Sequence, residues 1–332
     1  MKAVLCRSFA PIEELGIGVA DEPEATAGTV LIDVHAAGVN FPDGLIVQGK
    51  YQTKPALPFV PGSELAGIVA VIGDGVTGFS PGDHVVAFSG TGGFAERVAV
   101  PAKQVFHLPA AADLTIAAGM LITYGTSYHA LKDRASLESG ETLFVLGAAG
   151  GVGLAAIELG ALMGARVIAA ASTPDKLALA REYGAAETID YSSEDLRERV
   201  KELTGGKGVD VAYDPVGGAM TLTAIKSLAW GGRHLIVGFA SGDIPDIPAN
   251  LLLLKSAASI GVLWGNSLRA DPEHHAANID DLIGWLVAGR IRPSIDAVFP
   301  LDRAGEALNH VMKRRARGKV ILAVKSLEGD GR

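Results

Sequence analysis

The stretch TLFVLGAAGGVGLAAIELGALMGARVIAAAS, residues 142–172, decides the fold of this chain. A short apolar run at 142–146 is typical of a strand, the Ala- and Leu-rich segment that follows is typical of a helix, and a second strand is predicted at 166–171. Between the first strand and the helix stand Gly147, Gly150, Gly151 and Gly153. Such glycines permit a tight turn, close approach of the backbone to a pyrophosphate, and close packing of the helix on the sheet.

The start of this helix predicts a dinucleotide-binding site. Its members are Gly150, Gly151, Val152 and Gly153. Unpaired N–H groups and the helix macrodipole favour an anion at this end. A glycine-rich turn also serves packing alone, but the preceding strand and the βαβ unit of about 30 residues favour the dinucleotide.

The end of the second strand favours NADPH over NADH. An NAD site usually has Asp or Glu there to bond the ribose hydroxyls, whereas this strand ends in Ala170, Ala171 and Ser172. Ser172 and Thr173 can donate to a 2′-phosphate and Lys176 can pair with it, since a hydrogen bond to a charged group contributes roughly 1.5 to 3 kcal/mol. Alternatively, Ser172 or Thr173 only caps the next helix and Lys176 is solvated. The two roles are compatible.

The composition excludes several other classes of protein. With 332 residues, the chain is expected to form two domains. Its net charge of −8 argues against nucleic acid or an anionic membrane as a partner. The single cysteine, Cys6, excludes an internal disulfide and a cysteine-based metal cage. The first residues lack the apolar core of a signal peptide, so we expect a soluble, cytoplasmic protein.

The pattern along the chain separates a β-rich region from a region of alternating strands and helices. Residues 1–110 carry short β-type runs between Gly and Pro and predict an all-β region. Six strands then alternate with helices, as in a doubly wound fold; they are predicted at 143–146, 167–171, 188–190, 209–214, 234–239 and 259–263. We therefore expect an α/β protein with a β-rich domain, 1–122 and 266–332, and a doubly wound dinucleotide-binding domain, 123–265.

Seven short motifs are spread over essentially the whole chain. They are AAGVNFPDGL (36–45), GKYQ (49–52), LPFVPGSELAG (57–67), GDHV (82–85), GAAGGVG (147–153), DPVGG (214–218) and RGKVIL (317–322). Together they resemble the medium-chain dehydrogenase/reductase superfamily, and within it the zinc-free quinone oxidoreductases similar to ζ-crystallin. The resemblance implies a GroES-like catalytic domain and a Rossmann domain with the active site in the cleft between them, reduction of a quinone by NADPH, and a homodimer.

The motifs differ from those of zinc alcohol dehydrogenases at the metal ligands. Those enzymes have a His in a Gly-His-Glu triplet, where this chain has Gly62, Ser63 and Glu64, and the position of their first cysteine ligand falls near Asn40. A catalytic zinc needs three protein ligands, so we expect no metal. Without a Lewis acid, the acceptor should already be electron-poor, as quinones and activated alkenes are.

The resemblance also implies roles for individual residues. On the substrate side these are Asn40, Asp43 and Tyr51. No side chain is an obvious proton donor: solvent could protonate the product, and Tyr51 is the best candidate within the protein. Thr126 and Tyr128 would lie near the nicotinamide or the phosphates, and Ser172, Lys176 and Tyr191 near the adenosine phosphate. The nicotinamide would be flanked by Gly238, Phe239, Ala240, Leu263 and Trp264. Other roles remain open: Asn40 also suits a turn before Phe41 and Pro42, Trp264 could close an apolar strand, and the tyrosines could be packed aromatics.

Two other functions remain open at this point. The same fold and hydride donor serve the reduction of a conjugated C=C bond in an enal, enone or enoyl thioester. Chains similar to ζ-crystallin can also be non-catalytic NADPH-binding structural proteins, although Asn40 and Tyr51 beside a complete glycine motif argue against this. For the homodimer, residues 258–263 are the candidate edge strand, because an exposed apolar edge invites pairing.

Overall fold

Three β-sheets organise the chain in the computed structural model, which describes residues 1–325. The strands are β1 (Lys2–Leu5), β2 (Gly16–Val19), β3 (Thr29–Val39), β4 (Glu64–Ile72), β5 (His84–Phe88), β6 (Arg97–Pro101), β7 (Val105–His107), β8 (Thr142–Val145), β9 (Arg166–Ala171), β10 (Glu187–Asp190), β11 (Val209–Asp214), β12 (Leu228–Ile236), β13 (Ala258–Gly261), β14 (Ile295–Pro300) and β15 (Lys319–Ala323). The α-helices are α1 (Phe41–Val47), α2 (Leu114–Ala117), α3 (Leu121–Tyr128), α4 (Gly151–Leu162), α5 (Pro174–Glu182), α6 (Leu196–Leu203), α7 (Ala219–Ser227), α8 (Ala249–Leu253), α9 (Trp264–Ala270), α10 (Pro272–Val287) and α11 (Ala304–Met312).

The elements form two units. The β-rich unit comprises Met1–Ile122 together with the described residues from Ser267 onward, and the parallel-sheet unit comprises Thr123–Asn266. Among the described residues, no helix combines the length and the apolar character needed to cross a membrane.

The parallel-sheet unit has the strand order β10-β9-β8-β11-β12-β13, with all neighbours parallel. Its central strands are apolar because helices cover both faces of such a sheet; Leu143, Phe144 and Val145 of β8 are fully buried. The order reverses between β8 and β11, and ligands of doubly wound sheets bind beyond the carboxyl ends of the strands at that point. The predicted doubly wound fold is confirmed, and β8 leads directly into the glycine-rich turn.

The β-rich unit is built on a seven-stranded sheet with the order β14-β15-β3-β4-β5-β7, in which β6 also pairs with β3. Neighbours are antiparallel except β14 and β15. Val320 of β15 pairs with Val39 at the end of β3. This register brings Lys319, at the start of β15, beside Asn40, which follows β3.

The prediction that the first 110 residues are all β is wrong at α1. Asn40 is the N-cap of this helix, Pro42 stands in its first turn, and the carboxylate of Asp43 accepts a hydrogen bond from the N–H of Asn40 at 2.9 Å. These are helix-start signals. The turn before Phe41 and Pro42, one of the roles left open for Asn40, is in the structure the start of a helix.

Two further expectations in the parallel-sheet unit are wrong. The strand predicted at 234–239 is β12, which begins at Leu228 and ends at Ile236, so Gly238 and Phe239 lie in the following loop. Gly231 and Gly232 concealed the first half of this strand, since glycine is depleted in strands. Trp264 does not close a strand, because β13 ends at Gly261 and Trp264 begins α9.

Candidate active site

The turn between β8 and α4 requires glycine at two positions. Gly147 has a φ of +59°, in the left-handed region that other residues rarely adopt. At Gly153, an added Cβ would collide with the carbonyl oxygen of Gly147 and lie 3.0 Å from the Cα of Ala148. Only glycine at position 153 therefore lets α4 approach the turn this closely.

The N-terminus of α4 has the features of an anion site. Its N-cap is Gly150, which has no side chain to accept hydrogen bonds from the first N–H groups of the helix. The N–H groups of the first turn have no partners within the helix, and together with the macrodipole they favour a phosphate. Gly151, Val152 and Gly153 form this first turn, as the sequence predicts for a pyrophosphate site.

Helix α3 is fastened to this first turn by buried polar side chains. The hydroxyl of Ser127 donates to the carbonyl oxygen of Val152 at 3.0 Å and lies 2.9 Å from the hydroxyl of Tyr213. One turn earlier, the hydroxyl of Tyr124 donates to Glu158 of α4 at 2.6 Å. Because Ser127 gives its hydrogen to Val152, Tyr213 must donate to Ser127.

The two residues of α3 that were predicted to approach the cofactor differ in exposure. Thr126 is half-buried, whereas Tyr128 is buried, with the ammonium of Lys132 lying 4.6 Å from its ring centre. A contact of Tyr128 with a cofactor stays a prediction, and its burial supports the packed-aromatic alternative.

The predicted phosphate-binding residues come together at the carboxyl ends of β9 and β10. Ser172 follows β9 and Tyr191 follows β10, and the N–H of Tyr191 donates to the carbonyl oxygen of Ala171 at 3.2 Å. Thr173 caps α5 and accepts a hydrogen bond from the N–H of Lys176 at 3.4 Å. Ser172, Lys176 and Tyr191 are all half-buried. The capping alternative is therefore realised by Thr173, which leaves the hydroxyl of Ser172 outside the cap.

The residues predicted to flank the nicotinamide lie in two segments. Gly238, Phe239 and Ala240 form the half-exposed loop after β12. Leu263 is 53% exposed, whereas Trp264 is only 4% exposed, and a Cβ at Gly125 of α3 would lie 2.7 Å from the indole. Trp264 is therefore packed against α3 beside Thr126.

In the β-rich unit, a buried polar cluster joins Asn40, Glu64 and Lys319. The ammonium of Lys319 bonds both the carboxylate of Glu64 and the amide oxygen of Asn40, and the amide nitrogen of Asn40 donates to Glu64 at 3.0 Å. The second oxygen of Glu64 accepts from the N–H of Ile122 at 2.8 Å. All three side chains are buried. The cluster pairs its two opposite charges, as buried charges require.

Asp43 lies beside this cluster and is bonded to Ser63, and its charge acts on Tyr51. The hydroxyl of Ser63 donates to the carboxylate of Asp43 at 2.5 Å. Burial raises the pKa of Asp43 to about 6, although the bonds from Ser63 and Asn40 and the charge of Lys319 oppose this. Burial, and then the negative charge of Asp43, raises the pKa of Tyr51 above its ordinary value. The phenol of Tyr51 therefore keeps its proton at neutral pH.

The residues matched to the metal ligands of zinc alcohol dehydrogenases do not fit a catalytic zinc. Ser63 stands at the position matched to the histidine ligand and is bonded to Asp43, and Asn40 is bonded to Lys319 and Glu64. The amide of Asn40 has partners for both its oxygen and its nitrogen. In addition, the ammonium of Lys319 already supplies a positive charge beside these side chains, and it would repel a second cation.

The sequence did not predict that Glu64 and Lys319 join Asn40 in one cluster, or that Ser63 bonds Asp43. Glu64, Lys319 and Ser63 all lie inside the motifs LPFVPGSELAG and RGKVIL, so the motifs marked these positions. The motifs did not predict which residues are in contact, because Lys319 and Asn40 are 279 residues apart in the chain. Ser127 and Tyr213 were missed for a similar reason, at a separation of 86 residues.

Comparison with family models gives two matches. Residues 26–110 match the alcohol dehydrogenase GroES-like domain, and residues 151–280 match the zinc-binding dehydrogenase model. The description of the second model names zinc. The region that it matches, however, does not include Asn40 or the Gly62–Glu64 triplet, which are the positions compared above with the zinc ligands.

Curated relatives are similar over most of the chain. The quinone oxidoreductase-like protein 2 homolog of Nematostella vectensis is 42% identical over 299 residues, which cover 89% of this chain and 82% of the relative. This chain belongs to the quinone oxidoreductase family of the medium-chain dehydrogenase/reductase superfamily. Human quinone oxidoreductase, another member of the family, is 33% identical over 88% of each chain. The family assignment made from the motifs is confirmed.

A solved structure in the same family supports the fold over nearly the whole length. Escherichia coli quinone oxidoreductase, whose structure is a complex with NADPH, superposes with a TM-score of 0.91 at 28% identity, covering 98% of this chain and 100% of that one. The α/β architecture with GroES-like and Rossmann-type parts is confirmed.

Proposed function

We propose that this protein is an NADPH-dependent quinone reductase that transfers hydride without zinc. The observation that carries the proposal is the buried cluster of Lys319, Glu64 and Asn40. An ammonium group stands there among residues that match the metal-ligand region of zinc alcohol dehydrogenases. An acceptor that needs no Lewis acid, such as a quinone, suits this arrangement.

NADPH is supported as the cofactor by the residues at the end of β9. Ser172 stands where an NAD site usually has a carboxylate, and Lys176 and Tyr191 are its neighbours on α5 and after β10. The ammonium of Lys176 would pair with the 2′-phosphate. Gly150, Gly151 and Gly153 would hold the pyrophosphate on the N-terminus of α4. The NADPH complex of the Escherichia coli relative agrees with this assignment.

When bound, NADPH supplies a hydride from its nicotinamide ring. A quinone that takes up this hydride and one proton becomes a hydroquinone. In our proposal, the phenol of Tyr51, which is protonated at neutral pH, contacts the acceptor oxygen and donates the proton. Asp43 and Asn40 then position this side of the site through their buried hydrogen bonds, so that catalysis depends mainly on orientation and electrostatics.

The test is NADPH oxidation by chelator-treated protein with a panel of ortho- and para-quinones, enones and short enoyl thioesters, and with NADH as the control donor. We expect turnover of quinones with NADPH and weak turnover with NADH. Removal of metals should leave the activity unchanged. Activity confined to alkenes would move the function to C=C reduction. Saturable NADPH binding without turnover would support a structural protein, and stoichiometric zinc required for activity would overturn the proposal.

We also propose that the protein forms a homodimer through β13. This strand is an edge of the parallel sheet, and Leu253, Leu254 and Leu263 nearby in the sequence are exposed. Light scattering should give the mass of a dimer. Ala258→Lys, which places a charge on the edge strand, should shift the mass toward that of a monomer, whereas Ala110→Lys in the β-rich unit should not. A monomeric wild type would remove the proposal.

A further inference from the structure

A chain of side-chain hydrogen bonds crosses three neighbouring strands of the parallel sheet. On β12, Nδ1 of His234 lies 2.7 Å from the hydroxyl of Ser259 on β13. Its Nε2 lies 3.2 Å from the carboxylate of Asp214 at the end of β11. His234 is fully buried, and Asp214 is 2% exposed. The chain thus runs from the outer strand of the sheet to the loop that follows β11.

The partners of Asp214 show which nitrogen of His234 carries a hydrogen. Burial alone would raise the pKa of Asp214, but hydrogen bonds from His234, from Thr221 and from the N–H groups of Gly217 and Val216 hold it below its ordinary value. An ionised carboxylate only accepts hydrogen bonds, so Nε2 of His234 carries a hydrogen. In the neutral ring, Nδ1 then accepts the hydrogen of the Ser259 hydroxyl.

Asp214 uses both oxygens to shape the loop at 215–218. One oxygen accepts from the N–H groups of Val216 at 2.8 Å and Gly217 at 2.9 Å. The other accepts from the Thr221 hydroxyl at 2.6 Å and from His234. Four donors therefore converge on one buried carboxylate, and two of them are loop N–H groups.

This loop contacts the segment at 238–240, which is predicted to flank the nicotinamide, and the glycine-rich turn, which is predicted to bind the pyrophosphate. The carbonyl oxygens of Pro215 and Val216 accept hydrogen bonds from the N–H groups of Ala240 at 3.0 Å and Ser241 at 2.8 Å. On the other side, a side-chain carbon of Val216 lies 3.1 Å from the position of a Cβ at Gly147. A shift of the loop at 215–218 would therefore move the loop at 238–240 and the glycine-rich turn together.

The three residue types are those of a hydrolytic triad, but their connections are different. In such a triad, Asp bonds Nδ1 and Ser bonds Nε2, whereas here Ser259 bonds Nδ1 and Asp214 bonds Nε2. In addition, His234 is enclosed in the sheet. This arrangement positions a loop and does not activate a nucleophile.

We propose that His234 is a positioning residue for the cofactor: its Nε2–H bond to Asp214 holds the loop at 215–218 in the shape that binds NADPH, and Ser259 selects the required tautomer. The inference rests on the proposed function, since it assumes that NADPH binds beside this loop.

Two substitutions of His234 separate the hydrogen bond from the packing of the ring. In His234→Gln, the amide nitrogen reaches about as far as Nε2 and can still donate to Asp214. In His234→Asn, the amide reaches about as far as Nδ1, so the bond to Ser259 can persist and the bond to Asp214 is lost. Both variants remove the ring. We expect His234→Gln to bind NADPH within about threefold of the wild type and His234→Asn to bind at least about tenfold more weakly, measured by titration calorimetry.

A matched control is His310→Asn, which breaks a histidine–carboxylate pair of the β-rich unit, where Nε2 lies 2.7 Å from Asp296; it should leave the dissociation constant unchanged. Equal affinities of the Asn and Gln variants, with a wild type that binds NADPH, would overturn the inference. A wild type that binds no NADPH would instead overturn the proposed function.

If His234→Asn fails to fold, Ser259→Ala provides the test, because it leaves the ring in place and frees its tautomer. We expect about two- to fivefold weaker NADPH binding with an unchanged urea midpoint. Binding equal to that of the wild type would contradict the proposed role of Ser259 and His234.

Discussion

The two units of the molecule build their candidate sites from different kinds of chemical group. The parallel-sheet unit uses backbone: a left-handed Gly147, a glycine N-cap and the free end of α4, all within residues 147–153. The β-rich unit uses buried side chains that come from distant positions, since Asn40 lies 24 residues from Glu64 and 279 from Lys319. The first kind of site is sensitive to added atoms, and the second is sensitive to a lost charge.

If the stability of the β-rich unit depends on its buried charges, Lys319→Met should cause a large loss of stability, the largest effect expected here. It leaves the carboxylate of Glu64 buried without its cation, which should lower the free energy of unfolding by about 3 to 5 kcal/mol. Urea denaturation measures this. Lys319→Met combined with Glu64→Gln should recover part of the loss, because the uncompensated charge is then removed.

The control for Lys319 is Lys325→Met, six residues further along the same segment. The ammonium of Lys325 lies 3.6 Å from Asp33 and is about half exposed, so its loss should cost less than about 1 kcal/mol. Similar losses for the two variants would contradict the distinction between a buried charge cluster and an ordinary surface pair.

The proposed proton donor gives the next effect. Tyr51→Phe should lower kcat with a quinone by about 100-fold, the low end of the range for a general acid, and leave the dissociation constant of NADPH unchanged. Stopped-flow and calorimetric measurements separate the two quantities. Tyr183→Phe at the end of α5 is the control for loss of a tyrosine hydroxyl, and an undiminished kcat in Tyr51→Phe would assign the proton to solvent.

In the parallel-sheet unit, the side chain of Lys176 should distinguish one cofactor from the other. Lys176→Ala should weaken NADPH binding about 10- to 100-fold, the loss of one charge-assisted hydrogen bond, and leave NADH binding nearly unchanged. Lys207→Ala, before β11 and so at the amino end of the strands, should change neither. Equal losses for the two cofactors would show that Lys176 does not bind the 2′-phosphate.

The smallest effect concerns the pH dependence of stability. A carboxyl group whose folded pKa is raised to about 6 binds more protons when folded, so it makes the protein less stable as the pH rises through this value. Asp43→Asn removes this contribution. Between about pH 5 and pH 8, the free energy of unfolding of the wild type should therefore fall by about 1.4 kcal/mol relative to that of the variant, as measured in urea titrations. A difference independent of pH would contradict the raised pKa.

The sequence predicted the secondary structure best where it depends on residues that are neighbours in the chain. The strand at 209–214 has the predicted bounds, because it is a compact, mostly apolar run, and the glycine-rich turn follows from a local motif. Helix α1 was missed because Pro42 and Gly44 disfavour helix interiors, although Pro42 and Asp43 suit a helix start.

The candidate site was predictable to a different extent in each unit. Ser172 and Lys176 were predicted from the missing carboxylate at the end of the second strand, and Tyr191 from the resemblance to the family. The partner of Asn40 was not predictable, because no periodicity connects it with Lys319. The links between His234, Ser259 and Asp214 depend on the register of three strands, which only the structure gives.

The late position of Lys319 in the chain has a consequence for synthesis. Glu64 emerges from the ribosome 255 residues before Lys319 (319 minus 64), and at about 5 to 20 residues per second this interval lasts roughly 13 to 50 s. The whole parallel-sheet unit, Thr123–Asn266, is made within that interval. The nascent chain can therefore complete its nucleotide-type sheet while the first 122 residues still await the strand and the cation that finish theirs.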